Sequence, residues 1–104
     1  HPRAYGTFGR FLRAVQDGKS VSVGEAVRKM TSLPAAHFRL KDRGAIRAGA
    51  YADVVVIDPQ AFRDLATYEK PHQFCDGISA VWVNGALTLR AGRDTGARGG
   101  RYLD

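Results

Sequence analysis

The side chains that could bind a metal ion or activate water are few and lie far apart in the sequence. Three histidines and one cysteine are the candidate soft ligands, at His1, His37, His72 and Cys75. None of them forms an H-x-H, H-E-x-x-H or C-x-x-C pattern. His72 and Cys75 are three residues apart, but Pro71 favours a loop there instead of one helical face. The residues of this chain alone therefore predict no metal site.

No pair of side chains has the spacing of a catalytic acid and base, or of a nucleophile and its activator. Asp53 and Asp58 flank a strand-like run, so we expect them at its opposite ends, too far apart for a carboxylate pair. Ser22 is explained as a helix cap, and no serine lies in a nucleophile-elbow motif. The sequence alone therefore identifies no catalytic residue.

Residues 1–6 contain the side chains most typical of a ligand-binding loop. This segment has no helical or strand periodicity, and it combines His1, Arg3 and Tyr5. A guanidinium in such a loop is suited to a carboxylate, to which it can donate two parallel hydrogen bonds. A solvated loop without a ligand is the alternative.

Positive charge is the main compositional signal. The formal net charge is +6, which could attract nucleic acid or an acidic partner. Residues 98–101 form an arginine- and glycine-rich tail of the kind found in nucleic-acid-binding proteins, but its motif is not repeated. Because the basic residues are spread along the chain, a hydrated surface with a few anion-binding arginines is favoured over a nucleic-acid-binding module.

Length and cysteine content predict one small domain or a piece of a larger cytoplasmic protein. The chain has 104 residues and begins with His1 instead of methionine, which suggests a processed product or an excised fragment. A single cysteine excludes an internal disulfide and is typical of a reducing cytoplasm. No apolar run approaches the roughly 18 residues that span a membrane, and no signal peptide is recognisable.

Apolar spacing predicts two helices and a short third one within residues 1–40. The first helix is expected over residues 7–18, with Thr7 as its N-cap and Gly18 as its stop. Its buried face is expected to contain Phe8, Phe11, Leu12 and Val15. Ser22 and Glu25 form a capping box at the start of the second helix, whose apolar stripe contains residues 23, 26, 27 and 30. The second helix is expected to end near residue 31, and Pro34 can open the short third helix.

From residue 41 onward the pattern is extended. Residues 54–57 are four β-branched residues without alternation, which predicts a strand covered on both faces. A brief strand is expected at residues 45–47. Asn84 and Gly85 predict a type I′ turn that closes a hairpin, and the tail from residue 91 is expected to be loosely held. The predicted fold class is therefore α+β, with N-terminal helices followed by β-strands.

Several of these segments resemble the amidohydrolase superfamily. Residues 22–35 resemble its closing helix, and residues 43–49, 52–56 and 81–85 also resemble segments of these enzymes. The order and spacing of the segments are similar to those of dihydroorotases, dihydropyrimidinases and their relatives. Residues 1–8, 71–73 and 95–101 are similar to the N-acyl-D-amino-acid deacylases, also called D-aminoacylases. Gly9 departs from this pattern, since the family usually has proline there.

The resemblance implies the C-terminal portion of a zinc-dependent deacylase that hydrolyses the N-acyl amide of D-amino acids. Residues 1–40 would close a (β/α)₈ barrel, and residues 41–104 would belong to a small β-sandwich. The family's metal and catalytic residues would precede His1, so the isolated chain is expected to bind no zinc and to be inactive. Arg3 corresponds to the arginine that binds the substrate α-carboxylate, and His1 and Tyr5 would shape the same wall.

Two alternatives remain beside this interpretation. One is a non-catalytic basic module that binds nucleic acid, and the other is a different amidohydrolase, such as a hydantoinase-like enzyme or a deaminase. The expected partners of the chain are the rest of the barrel and sandwich. Without them, unpaired strand edges should cause self-association.

Overall fold

The computed structural model describes residues 1, 3–18 and 21–103. Three helices are followed by four short strands, which confirms the predicted α+β order of helices before strands. The helices are α1 (Arg3–Gly18), α2 (Val23–Met30) and α3 (Ser32–His37), and the strands are β1 (Val54–Ile57), β2 (Ile78–Val83), β3 (Ala86–Arg90) and β4 (Arg93–Asp94). No helix in the described part of the chain is long and apolar enough to cross a membrane.

Helix α1 begins four residues earlier than the apolar pattern predicts. The prediction of a loop at residues 1–6 is wrong from Arg3 onward, because α1 covers Arg3–Gly18. Thr7 is not an N-cap. Its hydroxyl donates to the Arg3 carbonyl oxygen at 2.7 Å, one turn back inside the helix. Leu12 and Val15 are buried as expected, whereas Phe8 remains 64% exposed.

Helices α2 and α3 follow the capping signals more closely. The Glu25 amide donates to the Ser22 hydroxyl oxygen at 3.1 Å, as the capping box requires. Of the predicted apolar stripe, Ala26 is buried, but Val23 and Val27 are exposed. Helix α3 begins two residues before Pro34, which is tolerated because N–H groups of a first turn have no intrahelical acceptor.

The strands form one sheet in the order β1-β2-β3-β4. Strands β2 and β3 are antiparallel, and so are β3 and β4. Asn84 and Gly85 have φ values of 50° and 81°, which confirms the type I′ turn of the hairpin. The strand expected at residues 45–47 is absent: the Ala50 amide donates to the Arg47 carbonyl oxygen in a turn.

Strand β1 is not covered on both faces by the described residues. Val55 and Val56 are 56% and 44% exposed, although their β-branched run is typical of a buried strand. The tail also differs from expectation, because Arg93 and Asp94 pair with β3 as β4. A two-residue strand is too short to produce a recognisable period in the sequence.

The chain forms two compact units. One consists of His1–Arg28 and Ile57–Gly77, and the other of Lys29–Val56 and Ile78–Asp104. In the first, Leu12, Val15, Ala26, Phe62 and Ala66 are buried, and in the second Ala35 and Ala80. The predicted division into a barrel part at 1–40 and a sandwich part at 41–104 remains a prediction.

Candidate substrate-binding site

A groove of about 480 Å³ runs beside the first turns of α1. Helix α1 forms one wall, and the irregular segment around residues 64–69 forms the other. The polar side chains that line it are those of His1, Arg3, Thr7, Arg10, Asp64, Thr67, Tyr68 and Glu69. A concave surface with a few convergent charged groups is the usual form of a small-ligand site.

Arg3 lies in the first turn of α1 and is exposed at this groove. Its backbone amide donates to the His1 ring at Nδ1, 3.2 Å away. Among residues 1, 3–18 and 21–103, no carboxylate lies within ion-pair distance of its guanidinium. Its five N–H donors are therefore available to an anionic ligand that enters the groove.

His1 is held at the end of the groove by Tyr68. The two rings meet edge to face with centroids 5.3 Å apart, and Nε2 of His1 lies 3.3 Å from the Tyr68 hydroxyl. Because Nδ1 accepts the Arg3 amide, the neutral ring has its proton on Nε2, which donates to the hydroxyl oxygen. The structure thus places His1 and Arg3 at the same groove, and their role in substrate binding remains a prediction.

Tyr5 lies outside this groove. Its ring packs on His72 and Phe74, with centroid separations of 5.3 and 5.5 Å. Residues two apart on a helix point to different sides, so Arg3 and Tyr5 face different surroundings. A role for Tyr5 in shaping the substrate wall remains a prediction.

The sequence did not reveal that Asp64 organises the groove. Its side chain is only 6% exposed, and it accepts hydrogen bonds from Arg10 Nε at 3.0 Å and from the Ala66 amide at 2.8 Å. It approaches α1 at Gly6, where a Cβ atom would overlap the carboxylate. Gly6 gave no usable signal, because a glycine is ordinary in the loop that the sequence predicts at residues 1–6.

Arg13 anchors the neighbouring loop to α1. One of its terminal nitrogens, Nη2, donates to the carbonyl oxygens of Pro59, Gln60 and Phe62, at 3.0, 2.7 and 3.1 Å. These bonds satisfy carbonyl groups that no regular secondary structure would pair. They hold one end of the segment whose other residues form the groove wall.

Cys75 packs against the same helix from a position outside the groove. Its thiol lies 3.7 Å from the Tyr5 carbonyl oxygen, and a Cβ atom at Gly9 would come within 2.7 Å of its sulfur. Burial raises the pKa of the Cys75 thiol above its ordinary value, so the protonated form is favoured. Glycine at position 9, where the family usually has proline, thus leaves room for the Cys75 sulfur to pack directly on α1.

The described residues provide no metal centre. No group of three or more histidine, cysteine, aspartate or glutamate side chains in that part of the chain could hold an ion. In particular, His1 and His72 pack against aromatic rings, Tyr68 and Tyr5 respectively. The arrangement can bind an anion at Arg3, but it does not assemble the groups that activate water.

Comparison with known proteins agrees with this α+β arrangement. A family model described as the amidohydrolase family matches residues 1–89. An N-acyl-D-aspartate deacylase from Alcaligenes xylosoxydans xylosoxydans is 42% identical over 104 residues, which are 99% of this chain and 21% of that protein. The chain therefore spans about a fifth of the length of such relatives.

Two solved structures are similar throughout. A D-aminoacylase variant in complex with copper chloride is 44% identical with a TM-score of 0.96, covering 100% of this chain and 22% of that one. The N-acyl-D-glutamate deacylase of Bordetella bronchiseptica, complexed with zinc and a phosphonate inhibitor, is 41% identical with a TM-score of 0.83. The match covers 90% of this chain and 21% of that one. The chain belongs to the amidohydrolase family. The predicted resemblance to N-acyl-D-amino-acid deacylases is confirmed.

Proposed function

We propose that this chain works as one part of a metal-dependent enzyme that hydrolyses the N-acyl amide of D-amino acids. Its similarity to deacylases of N-acyl-D-aspartate and N-acyl-D-glutamate extends over nine-tenths or more of the chain. The observation that carries the proposal is the groove beside α1, in which the Arg3 guanidinium has no carboxylate partner among the described residues.

Arg3 is the residue that would bind the substrate. Arg10, the other arginine at the groove, is already paired with Asp64 at 3.0 Å, so its charge is largely compensated. Arg3 can therefore donate paired hydrogen bonds to the α-carboxylate that every N-acyl-amino acid carries. His1, fixed by Tyr68, would limit how far the carboxylate can move along the groove.

The residues present here do not fit a metal centre, and the reaction requires groups that this chain does not supply. Metal centres are known for the related D-aminoacylase and for the N-acyl-D-glutamate deacylase with bound zinc. We therefore assign the metal ligands and the water-activating groups of the proposed enzyme to its remaining four-fifths. The isolated chain is proposed to be inactive.

The remainder of the enzyme would also cover the apolar surface that this chain exposes. In the proposed architecture, residues 1–40 close the barrel and residues 41–104 belong to the small sandwich, as the family resemblance implies. Exposure of Phe8 and Phe74, at 64% and 78%, supports a packing partner beyond the described residues. We also propose that this enzyme is cytoplasmic, as the single cysteine leads us to expect.

An arginine substitution in the full-length enzyme tests the role of Arg3. Arg3→Ala should lower kcat/KM about 10- to 100-fold for an N-acetyl-D-amino acid, because a charge-assisted pair of hydrogen bonds is lost. The same variant should change little for the matching N-acetyl-D-amino-acid amide, which has no carboxylate.

The control is Arg90→Ala, which removes the same charge from an exposed position at the end of β3. It should leave kcat/KM unchanged for both substrates. An equal loss on the carboxylate and the carboxamide substrate would contradict a carboxylate-binding role for Arg3.

A further inference from the structure

A second group of positive side chains lies in the unit formed by Lys29–Val56 and Ile78–Asp104. The guanidinium carbons of Arg43 and Arg101 lie 4.1 and 4.8 Å from the centroid of the Tyr51 ring. Stacking on an aromatic face stabilises each cation but does not neutralise it. Two positive charges therefore converge on one ring, where their mutual repulsion favours a nearby anion.

Arg43 is the buried member of this pair and lacks one hydrogen-bond partner. Its side chain is only 9% exposed, and its Nη1 group donates to Asp53 Oδ2. Its other terminal nitrogen, Nη2, is fully buried and has no hydrogen-bond partner. A buried donor without an acceptor is costly, so an acceptor that reached this nitrogen would stabilise the fold.

Asp53 does not compensate the whole group. Besides pairing with Arg43, it accepts the Asn84 amide at 2.8 Å, so its carboxylate already serves the hairpin turn. A cavity of about 430 Å³ adjoins the stacked pair, and its lining includes Arg39, Lys41, Arg43 and Arg101. Within the described residues, no carboxylate lies within ion-pair distance of Arg39, Lys41 or Arg101.

We propose that this cavity binds a small oxyanion, a carboxylate or a phosphate, beside the Arg43 and Arg101 guanidinium groups that stack on Tyr51. Both ligand types offer the oxygen acceptors that guanidinium groups recognise with two parallel hydrogen bonds. A water molecule in the cavity would leave the charges of Arg39, Lys41 and Arg101 without an anionic partner among the described residues. The site is separate from the groove at Arg3 and belongs to the other compact unit.

A titration of the ¹⁵N-labelled 104-residue chain with inorganic phosphate tests the site, at constant ionic strength set with sodium chloride. Backbone amide signals of residues 41–44 and 100–103 should shift together and saturate with a Kd of about 1 mM, as expected for two charge-assisted contacts. Acetate should compete for the same signals. The relative affinities of phosphate and acetate then identify which oxyanion the site prefers.

Two matched variants distinguish a built site from general attraction to a basic protein. Arg101→Gln should weaken phosphate binding about 10-fold, and it leaves the buried Arg43–Asp53 pair intact. Arg90→Gln removes the same charge outside the cavity and should leave the Kd unchanged. Equal weakening by both variants, or shifts that do not saturate, would overturn the proposal. Circular dichroism confirms that each variant remains folded.

Discussion

The close approach of Asp64 to α1 depends on the lack of a side chain at residue 6. The Asp64 carboxylate occupies the volume of a Gly6 Cβ atom, and in that position it accepts bonds from Arg10 and from the Ala66 amide. Gly6→Ala should therefore destabilise the chain by about 1–3 kcal/mol, because α1 or Asp64 must move. Urea unfolding of the 104-residue chain measures this loss.

Gly24→Ala is the matched control for that substitution. Gly24 is also helical, but nothing lies within 4 Å of its Cβ position. Alanine has the higher helix propensity, so this variant should gain up to about 1 kcal/mol. A Gly6→Ala variant that is as stable as Gly24→Ala would contradict the packing of Asp64 against α1.

The Cys75 thiol should titrate at higher pH in the folded chain than in the unfolded chain. Burial raises its pKa above the ordinary 9.0, and the nearby Asp64 charge acts in the same direction. The folded state therefore retains the thiol proton longer. The protonated thiol therefore contributes to the stability of the folded state. This contribution is complete below the pKa of the thiol in the unfolded chain and is lost as pH rises through its pKa in the folded chain.

Iodoacetamide alkylation measured against pH tests this shift. The rate curve of the folded chain should lie at higher pH than the curve in concentrated urea, because only the thiolate reacts. Coincident curves would show that Cys75 is not held as described.

At the scale of elements, Asp53 connects three parts of one compact unit. Its carboxylate pairs with Arg43 and accepts the Asn84 amide, so the start of β1 is joined to the hairpin turn. Asp53→Asn keeps the shape but leaves the largely buried Arg43 charge uncompensated. We expect the free energy of unfolding to fall by about 2 kcal/mol. This is less than the loss for a fully buried ion pair, because Asp53 is partly exposed.

Asp42→Asn provides the comparison for this pair. Asp42 pairs with Arg47 at 2.8 Å, but both side chains are more than one-third exposed. Its loss should cost at most about 0.5 kcal/mol, as is typical of surface ion pairs. Urea midpoints that fall equally for the two variants would show that Asp53 has no special role in joining β1 to the hairpin.

The elements that could be predicted from sequence are those with a local physical signal. The capping box at Ser22 located α2, and the Asn84-Gly85 pair located the hairpin, because both depend on residues adjacent in the chain. The start of α1 and the position of Asp64 depend on contacts across more than 50 residues, such as the Arg10–Asp64 pair. No periodicity in the local sequence encodes such contacts. The groove wall around residues 64–69 therefore could not be predicted from the sequence.

At the scale of the whole molecule, the exposed edge and faces of the sheet should determine how the isolated chain behaves. Strand β1 lies at an edge of the sheet, with Val55 and Val56 exposed. Such an edge pairs readily with another copy of itself. Light scattering of the 104-residue chain should therefore give a mass above 11.3 kDa that rises with concentration.

A lysine on this edge should reduce the association. Val55→Lys places a charge on β1, whereas Ser79→Lys adds the same charge on the inner strand β2 as a control. Only the first variant should lower the average mass. A monomeric wild-type chain at all concentrations would contradict the expected self-association.

The most direct measurement is the hydrolysis of N-acyl amino acids of both hands by the full-length enzyme and by the isolated chain. The full-length enzyme, with its metal content determined, should release D-amino acids and leave the L-enantiomers intact. The isolated chain should bind no stoichiometric metal and release neither. Turnover by the isolated chain, or no turnover of any N-acyl-D-amino acid by the metal-loaded full-length enzyme, would contradict the account.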